Sequence, residues 1–554
     1  MISGLNKNNY LLLLFAGMMM LSSSSYAQGN DPSLSFQYNP GAMLNQRLKE
    51  IQQHRMETEA AERYENREEE AEYKPAEEQK PELPQVTVKL NKLDIPDSQV
   101  LKRDELDAIA AKYENKEVSI SELYDALSEI NELYSRKGYL TTKAILPPQK
   151  IEEGVVKIQL IEGMVGKVEV INNKFTKSKY ITDRLSLKEG KVPNVNALKH
   201  RLQRFNGTNN TILQIKMVAG EKPLTTDFYI VAVEPKKKQQ FFFFSDNSGS
   251  ETSGEFRAGI GYNNNNLTGK CDTAAVSTMY SKTSETTMVS YNTPVNKRGT
   301  EVGVNYSNNH MRVSKGYMKP LDVRGRSNTT GIIVNTPSFI TANRREQWNI
   351  EFQKQHSETS IAGGTFVNDK ETRWALGYTG IRIKPHELFY YKPQFTYNSY
   401  KGLDSKKYGG RLVLDAMWQK FQSKGDSLTV RINAQKAFSD YIPSADQYYL
   451  GGQYTVRGYE ANGIGGDSGV NVRIDKAWHT GTDGLKVITF ADYGRLFGET
   501  ILTTKQIYSV GWGLEYRKGN FVITFYAGYA LKRRIGDQKT DASNTHFSLN
   551  YIFD

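Results

Sequence analysis

"IYSVGWGLEYR", residues 507–517, decides the fold. Successive side chains of a strand point to opposite faces. Tyr508, Val510, Trp512, Leu514 and Tyr516 therefore share one face, and Ser509, Gly511, Gly513, Glu515 and Arg517 share the other. The same alternation recurs in "SLTVRINAQ" (427–435), where Leu428, Val430, Ile432 and Ala434 oppose Thr429, Arg431, Asn433 and Gln435. In "VNVRIDKAW" (470–478), Val470, Val472, Ile474 and Trp478 oppose Asn471, Arg473 and Asp475. "HFSLNYIFD" (546–554) puts Phe547, Leu549, Tyr551 and Phe553 together. Soluble sandwiches alternate too, with the apolar face as core. Here aromatics end the apolar faces and the polar faces carry both signs of charge. That pattern favours a barrel with lipid outside and water inside. Roughly sixteen strand-like segments follow Lys238, each able to supply the ~9–11 residues a tilted membrane strand needs. Residues 238–554 read as an all-β transmembrane barrel of about 16 antiparallel strands.

Composition agrees with that reading. The 554 residues include 33 Tyr, 23 Phe and 45 Gly. The formal charge is +11, but 72 Lys and Arg are diluted by 61 Asp and Glu, with one short basic run at Lys236–Lys238. No zinc-finger or RNA-binding signature accompanies it, so nucleic acid is not expected as a partner. Cys271 is the single cysteine, which precludes an internal disulfide, and the seven histidines lack metal-ligand spacing. No metal and no cofactor is expected. Neither G-x-S-x-G nor H-E-x-x-H occurs, so no enzyme is expected either.

Upstream of the barrel the period changes. Lys7, the apolar run Tyr10–Leu21 and Ser25-x-Ala27 read as a signal peptide over residues 1–27. Residues 28–73 contain a charged helical stretch from Met43 to Tyr73, with a brief apolar stripe at Met43, Leu44, Leu48 and Ile51. A helix charged all round needs water or a polar cavity. "KPAEEQKPELP", 74–84, reads as a linker. Residues 85–162 give the order β-α-α-β-β. Leu101, Leu106, Ile109 and Tyr113 mark the first helix. A Ser119/Glu122 capping box, the stripe Leu123, Leu127, Ile130 and Tyr134, and a stop at Gly138 mark the second. Residues 163–237 repeat that order, and two like modules form an internal repeat.

One loop stands out. "GGQYTVRGYEANG", 451–463, sets Arg457 among glycines. In "LKVITFADYG", 485–494, the odd positions suit lipid, and Lys486, Phe490 and Asp492 then face the lumen. A guanidinium fork meets a carboxylate bidentately. The flexible loop is therefore expected to fold inward, with Arg457 on Asp492.

The whole arrangement resembles the TpsB transporters of two-partner secretion, the family of the FhaC and haemolysin-secretion outer-membrane proteins. The resemblance rests on Val456-Arg457-Gly458-Tyr459, which matches the family's VRGY/F loop motif, and on Phe490, Asp492 and Gly494, which match its F-x-D-x-G strand motif. "GYLTTKAILPPQKIEEGVVKIQLIEG", 138–163, resembles the end of its first POTRA module. Asp475 stands where the family is expected to carry a Glu. The resemblance implies an α+β pair of periplasmic POTRA modules, each βααββ, that dock a large unfolded exoprotein, and an outer-membrane barrel that exports it. That exoprotein would be an adhesin, haemolysin or contact-dependent toxin. It further implies a plug helix, outer-membrane lipid as surroundings, and the barrel assembly machinery as a partner in biogenesis. An outer-membrane assembly factor that inserts other barrels is the alternative. Such factors usually carry more than two POTRA modules. A diffusion porin would need no docking modules at all.

Overall fold

A computed structural model describes residues 39–50, 87–316, 318–402, 406–422, 425–439, 442–497, 505–535 and 538–553. The expected signal peptide, most of the charged helix and the 74–84 linker lie outside them. The chain forms two compact units, one of residues 69–234 and one that joins residues 1–68 to 235–554.

In the first unit, residues 87–162 build a small α+β module. Helices Arg103–Ala110 and Ile120–Arg136 pack Leu106, Leu123, Leu127, Ile130 and Tyr134 into one core with Leu90 and Val156. The Ser119 capping box forms: the hydroxyl accepts from Glu122 N–H, and the Glu122 carboxylate accepts from Ser119 N–H. Gly138 adopts φ +86° just past the helix end, as the stop signal requires. The β-α-α-β-β order needs one addition. A short strand, Lys116–Ser119, lies between the helices and pairs antiparallel with Thr87–Leu90. Only Val118 of its four residues is buried, so it leaves no alternation to read. The opening strand also breaks, and its second half, Lys92–Asp94, pairs parallel with Val155–Lys157. Residues 164–233 follow β-α-α-β-β without addition. Strand Thr225–Val233 is central, flanked by Met164–Ile171 (parallel) and Ile212–Ala219 (antiparallel).

In the second unit, sixteen strands among the described residues close into a barrel, from Gln239–Asp246 to Ser543–Ile552. Each pairs antiparallel with its neighbour, and the last pairs with the first from Phe242↔Ile552 to Asp246↔Ser548. Closure leaves no strand edge, which a hydrocarbon surround would not tolerate. The alternation read from sequence is observed. On the thirteenth strand, Leu485–Phe497, Phe490, Asp492 and Gly494 are buried while Ala491 and Tyr493 are exposed. Among the described residues no helix is long and apolar enough to cross a membrane.

Residues 40–50 form a helix inside this unit. It starts before Met43 because Asn39 caps it. The Asn39 side chain accepts from Gly41 and Ala42 N–H, and Pro40 occupies the first turn. Leu44, Asn45, Arg47 and Glu50 are buried. Their partners are lumen residues of the wall. Asn45 exchanges hydrogen bonds with Gln355, Arg257 reaches Glu50 at 3.3 Å, and Arg47 lies over the Phe244 ring. The three charged residues described in this helix, Arg47, Lys49 and Glu50, are accommodated because the surface around them is polar.

Candidate functional site

The connection between the eleventh strand, Ser427–Ala437, and the twelfth, Ser468–His479, turns into the lumen. A two-stranded ribbon, Tyr448–Leu450 with Ile464–Gly466, carries its tip inward. Val456 is fully buried with Leu450, Tyr459, Ile464, Leu496 and Ile507, an apolar cluster that offsets the loss of loop freedom.

At the tip lies Arg457, with no exposed surface. Its main-chain N–H and Nε both donate to Asp492 Oδ2, at 2.9 and 2.8 Å, and Nη2 donates to Oδ1 at 2.6 Å. The guanidinium thus meets Asp492 as a bidentate fork. Nη2 also donates to Asp475 Oδ1 at 2.5 Å, and Arg431 Nη1 donates to Asp475 Oδ2 at 2.5 Å. The guanidinium stacks 3.6 Å above the Phe490 ring and 5.1 Å from that of Tyr526. Arg473 is buried alongside. Three cations and two carboxylates therefore share one pocket. Desolvating charges is costly, and the many direct hydrogen bonds are what make the arrangement tolerable.

The remaining motif residues explain how the loop comes so close. Gly458 has φ +92°, and a Cβ there would meet the Gly528 carbonyl carbon at 2.9 Å. A Cβ on Gly528 would meet Gly458 N at 2.4 Å. The loop backbone thus lies directly on the fifteenth strand, Phe521–Ala530. Gly494 makes room for Leu450 and Val456 in the same way. Tyr459 donates its hydroxyl to the Tyr508 carbonyl at 2.9 Å and accepts from Lys532 N–H at 3.1 Å. All seven motif residues, Val456, Arg457, Gly458, Tyr459, Phe490, Asp492 and Gly494, meet in one place.

Two participants had no sequence signal of their own role. Asp475 was legible as inward-facing, but not as a bridge between Arg457 and Arg431. Asp446 was not legible at all. It sits in the short 3-10 turn Ser444–Asp446 of the same loop, nearly fully buried. Its Oδ1 accepts from Arg411 at 2.5 Å and Arg373 at 2.6 Å. Its Oδ2 accepts from Asn398 at 2.6 Å and the Tyr400 hydroxyl at 2.7 Å. Its carbonyl accepts from Arg411 and Gln435. The preceding carbonyl, of Ala445, accepts from Asn45 of helix 40–50 at 3.0 Å. A cavity of about 140 Å³ remains between that helix and the wall, lined in part by Lys49, Arg373, Arg411, Asp415 and Asp446. It is large enough to hold water, and its polar lining suits it.

Known proteins place this arrangement. Residues 88–163 match the ShlB-type POTRA domain, and residues 226–517 match the haemolysin secretion/activation protein ShlB/FhaC/HecB profile. The heme/hemopexin transporter protein HuxB of Haemophilus influenzae (strain 86-028NP) is 26% identical over 435 residues, 75% of this chain and 74% of its own length. The outer membrane transporter CdiB of Escherichia coli is 22% identical over 462 residues, 77% of this chain and 76% of its own. Solved structures of CdiB share the fold. That from Escherichia coli superposes with TM-score 0.69 at 17% identity, covering 96% of this chain and all of its own. That from Acinetobacter baumannii gives 0.68 at 18%, covering 95% and 100%. The barrel profile spans more than half of the sequence and runs one strand past the carboxylate that receives Arg457. The chain belongs to the haemolysin secretion/activation protein ShlB/FhaC/HecB family, the TpsB outer-membrane transporters of two-partner secretion.

Proposed function

We propose that this chain exports one large exoprotein, which crosses the outer membrane in unfolded form through the barrel, and that the Arg457 cluster holds the inward loop in the geometry export needs. The observation that carries the second half is the fully buried Arg457 shared between Asp492 and Asp475. Residues 85–162 and 163–237 act as two POTRA docking modules. Strands Met164–Ile171 and Ile212–Ala219 are the edges of the second module's three-stranded sheet, and an extended cargo segment can add to such an edge through main-chain hydrogen bonds. Helix 40–50 is the resting plug and leaves as cargo enters. Cargo folding outside supplies the drive. HuxB is named a heme/hemopexin transporter and CdiB an outer membrane transporter, and the cargo here is an adhesin, haemolysin or contact-dependent toxin. Outer-membrane lipid surrounds the barrel, and the barrel assembly machinery inserts it.

The test is co-expression with a candidate large exoprotein of the same organism in a heterologous outer membrane. Wild type is compared with Arg457→Ala and Asp492→Ala at equal barrel levels. Export by wild type alone is expected. Export by both variants would sink the role of the cluster. No export by wild type, together with higher yields of other barrels, would replace this reading with an assembly factor.

A further inference from the structure

The lipid-facing side of the barrel carries a group that neither the fold nor export explains. Glu346 lies on the seventh strand, Arg344–Ile361. The alternation places it outward with Trp348 and Ile350, both about half exposed, while Asn349 and Glu351 face the lumen. The cost of a charge on that face falls from the midplane toward the interfaces, so a carboxylate belongs near an end of the barrel or in a paired setting. Glu346 keeps only 4% of its side chain exposed. Arg344 donates to it bidentately at 2.8 and 2.7 Å. Tyr378 and Tyr391 hydroxyls donate at 2.8 and 2.9 Å, and Arg382 Nη2 donates at 3.0 Å. Gly380 permits this, because a Cβ there would meet Tyr391 Cζ at 2.2 Å. The carboxylate is saturated, since its two oxygens offer about four lone-pair sites. It therefore serves to hold two guanidiniums.

Those guanidiniums are the outward-facing part of the cluster. Arg382 is 51% and Arg344 41% exposed. Arg344 Nη1, and Nε and Nη1 of Arg382, have no hydrogen-bond partner among the described residues. Exposed Lys384 and Lys420 lie nearby, the first beside Glu387. Arg344, Arg382, Lys384 and Lys420 against Glu346 and Glu387 leave two positive charges in excess. The cluster lies at the end of the barrel where the first strand begins, because strands alternate in direction and Arg344 opens the seventh. That end follows directly from the POTRA-bearing part of the chain, which is periplasmic in this family. Trp348 packs 4.8 Å from Tyr378, and Phe389 packs 5.5 Å from Tyr391. This is the aromatic belt that marks the head-group level. Two oriented guanidiniums at that depth match the oxygens of a phosphate.

We propose that Arg344 and Arg382, held by Glu346, form a binding site for the phosphate of an anionic phospholipid in the periplasmic leaflet. The full chain, purified in zwitterionic detergent, is titrated with phosphatidylglycerol or phosphatidylcholine, and retained lipids are counted by native mass spectrometry. Wild type is expected to retain phosphatidylglycerol about tenfold more readily than Arg344→Gln/Arg382→Gln does, with little difference for phosphatidylcholine. Glu346→Gln separates a built site from a merely cationic surface. It adds positive charge, so a cationic surface would bind more phosphatidylglycerol, whereas loss of the positioning carboxylate is expected to weaken retention. This variant keeps both arginines, so it also serves if the double variant assembles poorly. Equal retention by wild type and the double variant, or stronger retention by Glu346→Gln, overturns the proposal. Displacement of the lipid by millimolar inorganic phosphate would overturn the lipid assignment and leave a plain anion site. Its absence supports the lipid.

Discussion

Arg457 and Asp446 belong to one loop, and they are fixed with opposite polarity. At the tip a cation reaches wall carboxylates on the twelfth and thirteenth strands. Near the base a carboxylate receives wall donors from the eighth, ninth and tenth strands. The surroundings differ as well. Arg457 lies on aromatic rings beside an apolar cluster, whereas Asp446 sits in hydrogen bonds alone, next to a polar cavity. The difference teaches that the loop is not fastened by one bond. Two sectors of the wall grip it, each with the charge the other lacks, so losing one grip leaves a stranded charge rather than a simple gap.

The largest expected effect follows from that. Arg457→Ala strands Asp492 and destabilises the folded barrel by about 3–5 kcal/mol. Semi-native electrophoresis over a temperature series reads this as earlier loss of the compact band. Asp446→Asn is expected to cost less, about 2–3 kcal/mol, because it keeps one acceptor and Arg373 retains Glu371 at 2.9 Å. An equal or larger loss than Arg457→Ala would reverse the order of the two grips. The double variant sharpens the comparison. A loop that moves as one body should fall short of additivity by about 1 kcal/mol. Strict additivity would mean that its halves act separately.

A smaller change comes from packing alone. Gly528→Ala puts a methyl against Gly458 N, a backbone atom that cannot rotate away. It should cost about 1–3 kcal/mol and expose the loop to protease. Smallest is Ser119→Ala, far from the loop. It removes the helix cap for about 1 kcal/mol, read as faster amide exchange at the start of Ile120–Arg136. The hydrogen bonds from Ser119 also hold the Glu122 carboxyl below its ordinary pKa. A depressed carboxylate contributes stability that is present above its unfolded pKa and lost as pH falls through the folded one. The exchange difference between wild type and Ser119→Ala is therefore expected to shrink in acid.

Much of this was legible because a period of two is a strong signal. Alternation around Trp512 and Val472 specifies the barrel, and parity on "LKVITFADYG" alone places Asp492 inside. Arg457 was found because its partner could be located independently. Asp446 lacked that help. It stands in an aperiodic loop, and its donors lie 35 to 73 residues away, on strands whose lateral neighbours sequence does not reveal. Lys116–Ser119 was missed because a four-residue strand with one buried side chain has no measurable period. Glu346 ran against the pattern itself: a charged residue on an outward position reads as noise until its four donor side chains are seen around it.

The mixed charge of the inner wall has a consequence for friction. Arg373, Arg411, Arg431 and Arg473 point inward among Glu351, Glu371, Asp415, Asp475 and Asp492. These groups are held mostly in pairs, Arg431 with Asp475, Arg373 with Glu371 and Arg457 with Asp492, so each sign sits within a few side chains of the other. No stretch of wall is uniformly attractive for long enough to trap an acidic or a basic segment. Such a surface is smooth on the scale of a moving chain, even though every group on it is strongly polar.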